Sequence, residues 1–323
     1  MTAPAISVDR LTKRFGSLTA LAEVCFEVPP ASVFGLLGPN GAGKTTAVKV
    51  LATLLHPDGG RVVVHGLDVV AEAAAVRRLV GMAGQYAAVD ANLTGRENLR
   101  LIGRLSQLRR PVFRRRADEL LDRFELADAA TRPVREYSGG MRRRLDVAAA
   151  LVARPAVLFL DEPTTGLDLG SRNQLWETIR ELVGGGTTVV LTTQYLEEAD
   201  RLAERVAVID RGRVIADGSP AALKAMVGAT VLEVVLPDVP AAERAAGVLG
   251  RLPDVRIERD GSAVRAAGGD GAGLVMAAVR LLDEAGIEPT AMQVRGPTLD
   301  EAFLRLTGQA EPVLAAAAGP GPA

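Results

Sequence analysis

Two short runs in this chain have the residue types and spacing for phosphate chemistry. The first is Gly38-Pro39-Asn40-Gly41-Ala42-Gly43-Lys44-Thr45-Thr46, in which Gly38, Gly43, Lys44 and Thr45 fit G-x-x-x-x-G-K-[ST]. In such a loop the backbone N–H groups, and those of the helix that follows, are left unpaired and favour anions. The lysine ammonium reaches the β- and γ-phosphates of a nucleotide, and the threonine hydroxyl suits Mg²⁺. The second run is Val157 to Pro163, an apolar stretch ending in Asp161-Glu162. A buried parallel strand reads this way, and two carboxylates at its C-terminal end lie where α/β sheets bind ligands.

The elements around these runs are those the chemistry needs. Ser32 to Leu37 is an apolar strand candidate ahead of the glycine-rich loop, and Thr46 to Leu55 continues with helical spacing behind it, which is the strand–loop–helix setting of a phosphate loop. A phosphate loop alone leaves kinases, GTPases, helicases and transporters open. Tyr137-Ser138-Gly139-Gly140-Met141-Arg142 narrows the choice. Ser138 is a good N-cap, the glycines let another backbone approach closely, and a helix is expected from about Met141 to Val152. This makes a second helix terminus suited to an anion.

Together these motifs resemble the ATP-binding cassette (ABC) family, whose signature reads Leu-Ser-Gly-Gly-Gln. Ser138, Gly139 and Gly140 keep that pattern, while Tyr137 and Met141 depart from it. The resemblance implies that Ser138, Gly139, Gly140 and Met141 cover the γ-phosphate held by an opposing subunit, in a head-to-tail homodimer around two Mg²⁺·ATP. It implies that Asp161 orders the Mg²⁺ shell with Thr45, and that Glu162 polarises the attacking water. Phe15 stands where the family stacks an aromatic on adenine. Gln85 matches a glutamine that touches Mg²⁺ or its water and links the nucleotide to a helical subdomain. Asp168 matches a loop that crosses the dimer seam, although Thr165-Gly-Leu-Asp168 differs from the usual Ser-Ala-Leu-Asp.

Gln194 is a departure, because most members carry a histidine there. Glutamine can donate a hydrogen bond to the γ-phosphate but cannot carry a proton near neutral pH. The expected catalytic set is therefore Glu162, Gln194 and Lys44, with Glu162 carrying the base role more completely. The Thr-Thr-Gln-Tyr-Leu run at 192–196 resembles the daunorubicin/doxorubicin-resistance exporter subfamily.

Composition agrees with an engine that works beside a membrane rather than within it. The chain has 323 residues and a net charge of −1, so no bulk electrostatic drive toward nucleic acid or anionic lipid is expected. Cys25 is the one cysteine, which excludes an intrachain disulfide framework, and Val24-Cys25-Phe26 reads as core. His56 and His65 lack zinc spacing, so metal is expected only with ATP. Met1 to Arg10 lacks the apolar core of a signal peptide, and no uncharged apolar run reaches about eighteen residues. If the chain serves a transporter, the channel is then a separate multi-span permease, with this subunit peripheral at the cytoplasmic face of the cell membrane. Four lysines beside abundant Arg, Ala and Gly suggest a GC-rich bacterial genome.

The expected fold is α/β: a P-loop cassette over residues 1–226 with a RecA-like α/β core, an antiparallel β-subdomain and a helical subdomain over about 86–150. Thr94 with Glu97 forms a capping-box signature, opening a helix through about Leu108 that Pro111 interrupts. Arg109, Arg110, Arg114, Arg115 and Arg116 follow, where the family docks its membrane subunit, although a solvated basic face explains such a run equally. Residues 227–308 read βαββαβ plus a short helix, a small α+β domain compatible with a ferredoxin-like sandwich. The tail 309–323, rich in Ala, Gly and Pro, is expected to be disordered. The function this implies is ATP hydrolysis driving export of a hydrophobic drug or antibiotic. The alternatives are a soluble ABC ATPase without a transport role, or a nucleotide-dependent binding switch with little turnover.

Overall fold

The computed structural model describes residues 3–84, 89–226, 230–268 and 271–307. In chain order the first unit contains β1 (Ile6–Phe15), β2 (Leu18–Val28), β3 (Val33–Leu37), α1 (Lys44–Leu51), β4 (Gly59–Val64), β5 (Leu67–Asp68), α2 (Ala73–Leu79) and β6 (Val80–Ala83). There follow α3 (Gly95–Leu105), α4 (Arg110–Arg123), α5 (Gly139–Ala150), β7 (Val157–Asp161), α6 (Leu169–Gly184), β8 (Thr188–Thr193), α7 (Leu196–Leu202), β9 (Arg205–Asp210) and β10 (Arg213–Gly218).

Hydrophobic patterning sorts these strands into two sheets. β3, β7 and β8 are buried at every residue, as strands covered on both faces must be. They form the middle of a six-stranded sheet of order β10-β9-β3-β8-β7-β6. The other sheet, β2-β1-β4-β5, is antiparallel and alternates inward and outward side chains. Along β2 that alternation turns Val24 and Phe26 inward and Cys25 outward, so the cysteine is exposed and not in the core as its apolar neighbours imply. Phe26 stacks on Phe34 of β3 with ring centroids 5.2 Å apart, joining the two sheets in one hydrophobic core.

The helical insertion is α3, α4 and α5. Thr94 and Glu97 make both halves of the capping box that starts α3. The helix stops at Leu105, short of Leu108, and Pro111 lies in the first turn of α4. Proline is tolerated there because the first helical N–H groups have no partner in any case. A Cβ on Gly103 would stand 2.4 Å from the Cβ of Phe113, so glycine sets how closely α3 and α4 approach. Helix α1 starts at Lys44 and α5 at Gly139, each two residues before its expected start. In α5 the two glycines already belong to the first turn, whereas in α1 Gly43 serves as the N-cap.

The chain divides into compact units after Pro220, just past the end of β10 at Gly218. α8 (Pro220–Ala225) spans that division. The second unit contains β11 (Val231–Val235), α9 (Val239–Leu249), β12 (Arg256–Asp260), β13 (Ala263–Ala267), α10 (Gly271–Glu284), β14 (Ala291–Arg295) and α11 (Leu299–Leu306). Its antiparallel sheet has the order β12-β13-β11-β14, the arrangement of a ferredoxin-like sandwich. Leu232, Val234, Ala245, Leu249, Val264 and Leu282 fill its separate core. The expected disordered tail lies outside the described residues.

Candidate nucleotide site

Sheet register brings the separated motifs to one edge. β3 and β8 run parallel with Leu37 opposite Thr193, and β7 and β8 run parallel with Asp161 opposite Thr192. Gly38, Glu162 and Gln194, the next residues after the three strands, therefore all leave the sheet at its C-terminal edge. That is the edge at which open α/β sheets hold ligands.

The loop after β3 is drawn tightly against its neighbours. A Cβ at Gly38 would fall 2.2 Å from the Ile209 carbonyl oxygen, and one at Gly43 would fall 2.6 Å from the Ala20 carbonyl oxygen. Only glycine fits either place. Ala42 is buried while Asn40 and Gly41 are exposed, so the loop turns its backbone outward. Lys44 is 5% exposed and donates to the Gly38 and Pro39 carbonyls at 2.7 and 3.1 Å. Burial lowers the pKa of its ammonium, against the opposing pull of Glu162 and Asp161. Among the described residues its hydrogen bonds go to two carbonyls, which the oxygens of a polyanion can replace.

Thr45 donates to Asp161 Oδ1 at 3.1 Å. Thr192 donates to the same oxygen, and its own hydroxyl accepts from the Glu162 N–H at 3.1 Å. Thr192 is a site residue that sequence reasoning missed, although it lies in the quoted Thr-Thr pair. Nothing in the one-dimensional pattern reports that strands β7 and β8 are neighbours. Glu162 itself is half-buried with φ +49, a conformation unusual for a non-glycine residue, and its carboxylate accepts from Thr165 Oγ1 at 3.4 Å.

In the signature segment Ser138 Oγ accepts from the Met141 N–H at 3.2 Å and caps α5 as expected. Tyr137 is buried and donates its hydroxyl to the Ala129 carbonyl at 2.7 Å, and Gly95 leaves the room for it. The departure from leucine at 137 is thus a matter of local packing. Ser138 and Gly139 are exposed, and a Cβ added at Gly139 would meet nothing within 4 Å. Gly140 and Met141 are half-buried behind them.

Arg143, on the same helix, was hidden in the run Arg142-Arg143-Arg144, which reads as a charged face. Its guanidinium instead donates to the carbonyls of Asp161 at 2.7 Å, Glu162 at 3.0 Å, Pro163 at 3.0 Å and Gly84. The signal that could have found it is Asp146, a buried carboxylate one turn on, which pairs with it at 3.4 Å.

The remaining expected residues are less crowded. Phe15, at the end of β1, is 47% exposed with Lys13 Nζ 5.5 Å from its ring centre, leaving the ring accessible. Thr46 continues α1 one residue after Thr45. Asp168 caps α6, accepting from the Ser171 N–H at 2.9 Å, and that bond is the first cause of its lowered pKa. Gln194 is exposed just beyond β8. Gln85 lies outside the described residues. The basic run is divided: Arg115 and Arg116 pair with Glu119, while Arg110 and Arg114 line an open pocket with Arg100 and Arg104.

Residues 21–165 match the ABC transporter family, and the chain is 53% identical over 314 residues to a daunorubicin resistance ATP-binding protein of Streptomyces coeruleorubidus, covering 95% of this chain and 97% of that one. The chain belongs to the ABC transporter family. It is also 48% identical to a daunorubicin/doxorubicin resistance ATP-binding protein of Streptomyces peucetius, over 94% and 92% of the two chains. A solved dimeric ATP-binding cassette in a post-hydrolysis state with ADP and phosphate matches 66% of this chain and 98% of its own, at 25% identity and TM-score 0.61. As an ABC subunit the chain binds and hydrolyses ATP for an exporter, and no helix among its described residues is long and apolar enough to cross a membrane.

Proposed function

We propose that this subunit works as a homodimer that closes around two Mg²⁺·ATP and drives a separate multi-span membrane subunit, exporting a hydrophobic drug or antibiotic from the cytoplasmic face. One observation carries the dimer: among the described residues nothing in its own chain requires glycine at 139. It lies in a helix, its φ is ordinary and its missing Cβ faces open space. Glycine loses more backbone freedom on folding than alanine, so even in the first turn of a helix it is an unfavourable choice. Its use is the close approach of something outside the chain, and the exposed Ser138 beside it, capping a helix N-terminus, suits a phosphate.

In the proposed cycle ATP settles on the loop 38–46 with adenine against Phe15. Lys44 exchanges the Gly38 and Pro39 carbonyls for phosphate oxygens. Thr45 Oγ1 and Asp161 Oδ1 converge as hard oxygen donors of the kind Mg²⁺ takes and would hold the ion or its water, with Gln85 joining them. The ion would supply charge neutralisation at the β- and γ-phosphates. Glu162 accepts a proton from the water whose oxygen bonds the γ-phosphorus as the bond to the β–γ bridging oxygen breaks and ADP leaves, and Gln194 donates its amide N–H to a γ-phosphate oxygen. Ser138, Gly139, Gly140 and Met141 of the opposing subunit close the site, with Asp168 at the seam.

The likeness to drug-resistance ATP-binding proteins along nearly the whole chain supports the cargo class. The open pocket of Arg100, Arg104, Arg110 and Arg114 on the helical insertion supports contact with a membrane subunit there. The test is capture from detergent-solubilised native membranes with Glu162→Gln as bait in Mg²⁺·ATP and Lys44→Ala as the non-binding control. Co-purification of a multi-span protein with the first variant alone supports the reading. Capture of soluble proteins only would overturn it.

A further inference from the structure

Arg143 occupies an unusual place between two motifs. Its helix begins at Gly139, whose N-terminus is proposed to meet the partner's ATP, and one turn later its guanidinium grips the strand end that carries Glu162. The grip is extensive: Nε donates to Pro163, Nη2 to Asp161 and Glu162, and Nη1 to Gly84 and Asp146. Gly84 is the last described residue before Gln85, so the same side chain touches the approach to that position too.

Glu162 needs such support. A non-glycine residue at φ +49 stores strain of about 1–3 kcal/mol and persists only where its surroundings hold it. Two hydrogen bonds from the Glu162 N–H to Thr192 hold one side of that peptide pair, at 3.0 and 3.1 Å. Arg143 holds the other side through the carbonyl. The planar fork of a guanidinium serves several carbonyls in fixed directions, which the single ammonium of lysine cannot do. Asp146, 1% exposed, orients the fork from below.

We infer that Arg143 is a positioning residue that aims Glu162 and couples that aim to the signature helix, so that ATP held by one subunit sets the hydrolytic readiness of the other. The inference rests on the roles proposed above for Glu162 and for Ser138 to Gly140. Helix α5 acts as a rigid lever: displacement of its N-terminus by the partner's nucleotide moves the Arg143 fork and with it the carbonyls around Glu162. Hydrolysis at the two sites is then cooperative through a protein route, without either nucleotide touching the other.

The experiment uses the full chain with Arg143→Ala, Arg143→Lys and Glu162→Gln, reading kcat, KM, the Hill coefficient, the affinity for a fluorescent ATP analogue and the thermal midpoint. Misplacing a catalytic group by about 1 Å costs about a hundredfold in rate. Arg143→Ala should lower kcat by about that factor, leave nucleotide affinity within about threefold and abolish cooperativity. Arg143→Lys should recover part of kcat, and added guanidinium should restore part of the rate of Arg143→Ala. Unchanged kcat and cooperativity, or a fall of kcat and affinity in step with the thermal midpoint, would overturn the inference. Glu162→Gln separates the two readings: if it hydrolyses ATP normally the proposed base is wrong, whereas an inactive Glu162→Gln beside a normal Arg143→Ala refutes only the lever.

Discussion

Thr45 and Asp161, 116 residues apart in sequence, meet in a hydrogen bond of 3.1 Å. The bond joins the first turn after the phosphate loop to the end of β7, and Thr192 on the intervening strand donates to the same carboxylate oxygen. Three chain segments thus converge on one oxygen. Asp161→Asn keeps the shape but weakens the acceptor, and it should raise the Mg²⁺ concentration needed for half-maximal hydrolysis by about 10–100-fold. A magnesium titration of the ATPase rate checks this; an unshifted midpoint would remove Asp161 from the proposed metal shell.

Gly139→Ala sets stability against activity. The monomer offers open space for the methyl group, so the substitution should leave the thermal midpoint unchanged or raise it, in line with a gain of about 0.4–1 kcal/mol. Hydrolysis should nevertheless fall at least tenfold, roughly the effect of losing about 1.4 kcal/mol of transition-state contact. Full activity in the alanine variant would mean that nothing approaches position 139 closely.

Gln194 cannot titrate, and the chain's two histidines lie elsewhere in the sequence, at 56 and 65. The pH–rate profile of the native protein should therefore carry no limb that arises at position 194, where an imidazole of ordinary pKa about 6.5 would place one. Gln194→His should introduce one while changing the maximal rate by less than about fivefold. A many-fold rise in turnover would instead identify the glutamine as an impaired sensor.

Glu198, on α7 just beyond Gln194, is 1% exposed and accepts from the Trp176 indole N–H at 3.3 Å. Burial is the main cause that pushes its carboxyl pKa above the usual range. A carboxyl whose folded pKa is raised binds more protons in the folded than in the unfolded state, so its contribution favours folding below the unfolded pKa and is lost as pH rises through the folded one. Glu198→Gln keeps the hydrogen-bonding shape without the charge. It should raise the thermal midpoint at pH 7–8 by about 2–4 °C and flatten its decline with pH, as followed by calorimetry.

The elements were largely legible in the sequence because their signals are local. Capping at Thr94 and Ser138 and the buried runs of β3 and β7 each depend on residues a few positions apart. The same holds for the βαββαβ order of the second unit. What escaped depends on pairing between distant strands or on which face a residue takes. Cys25 was misplaced because two apolar neighbours cannot reveal the phase of an alternating strand. Thr192 and Arg143 were missed because their partners are carboxylates and carbonyls brought near only by the β7–β8 register and by the packing of α5.

The chain has one tryptophan, and Trp176 is buried against the helix that follows Gln194, with its N–H on Glu198 and the Arg201 guanidinium 5.1 Å from its ring centre. Indole emission responds to nearby charge and to the hydrogen bond at its nitrogen. Excited at the red edge of indole absorption, where tyrosine does not absorb, the unlabelled protein therefore emits from a single place, next to the segment that faces the γ-phosphate in the proposed cycle. A stopped-flow trace on mixing with ATP would follow that segment's movement in real time, with no dye attached.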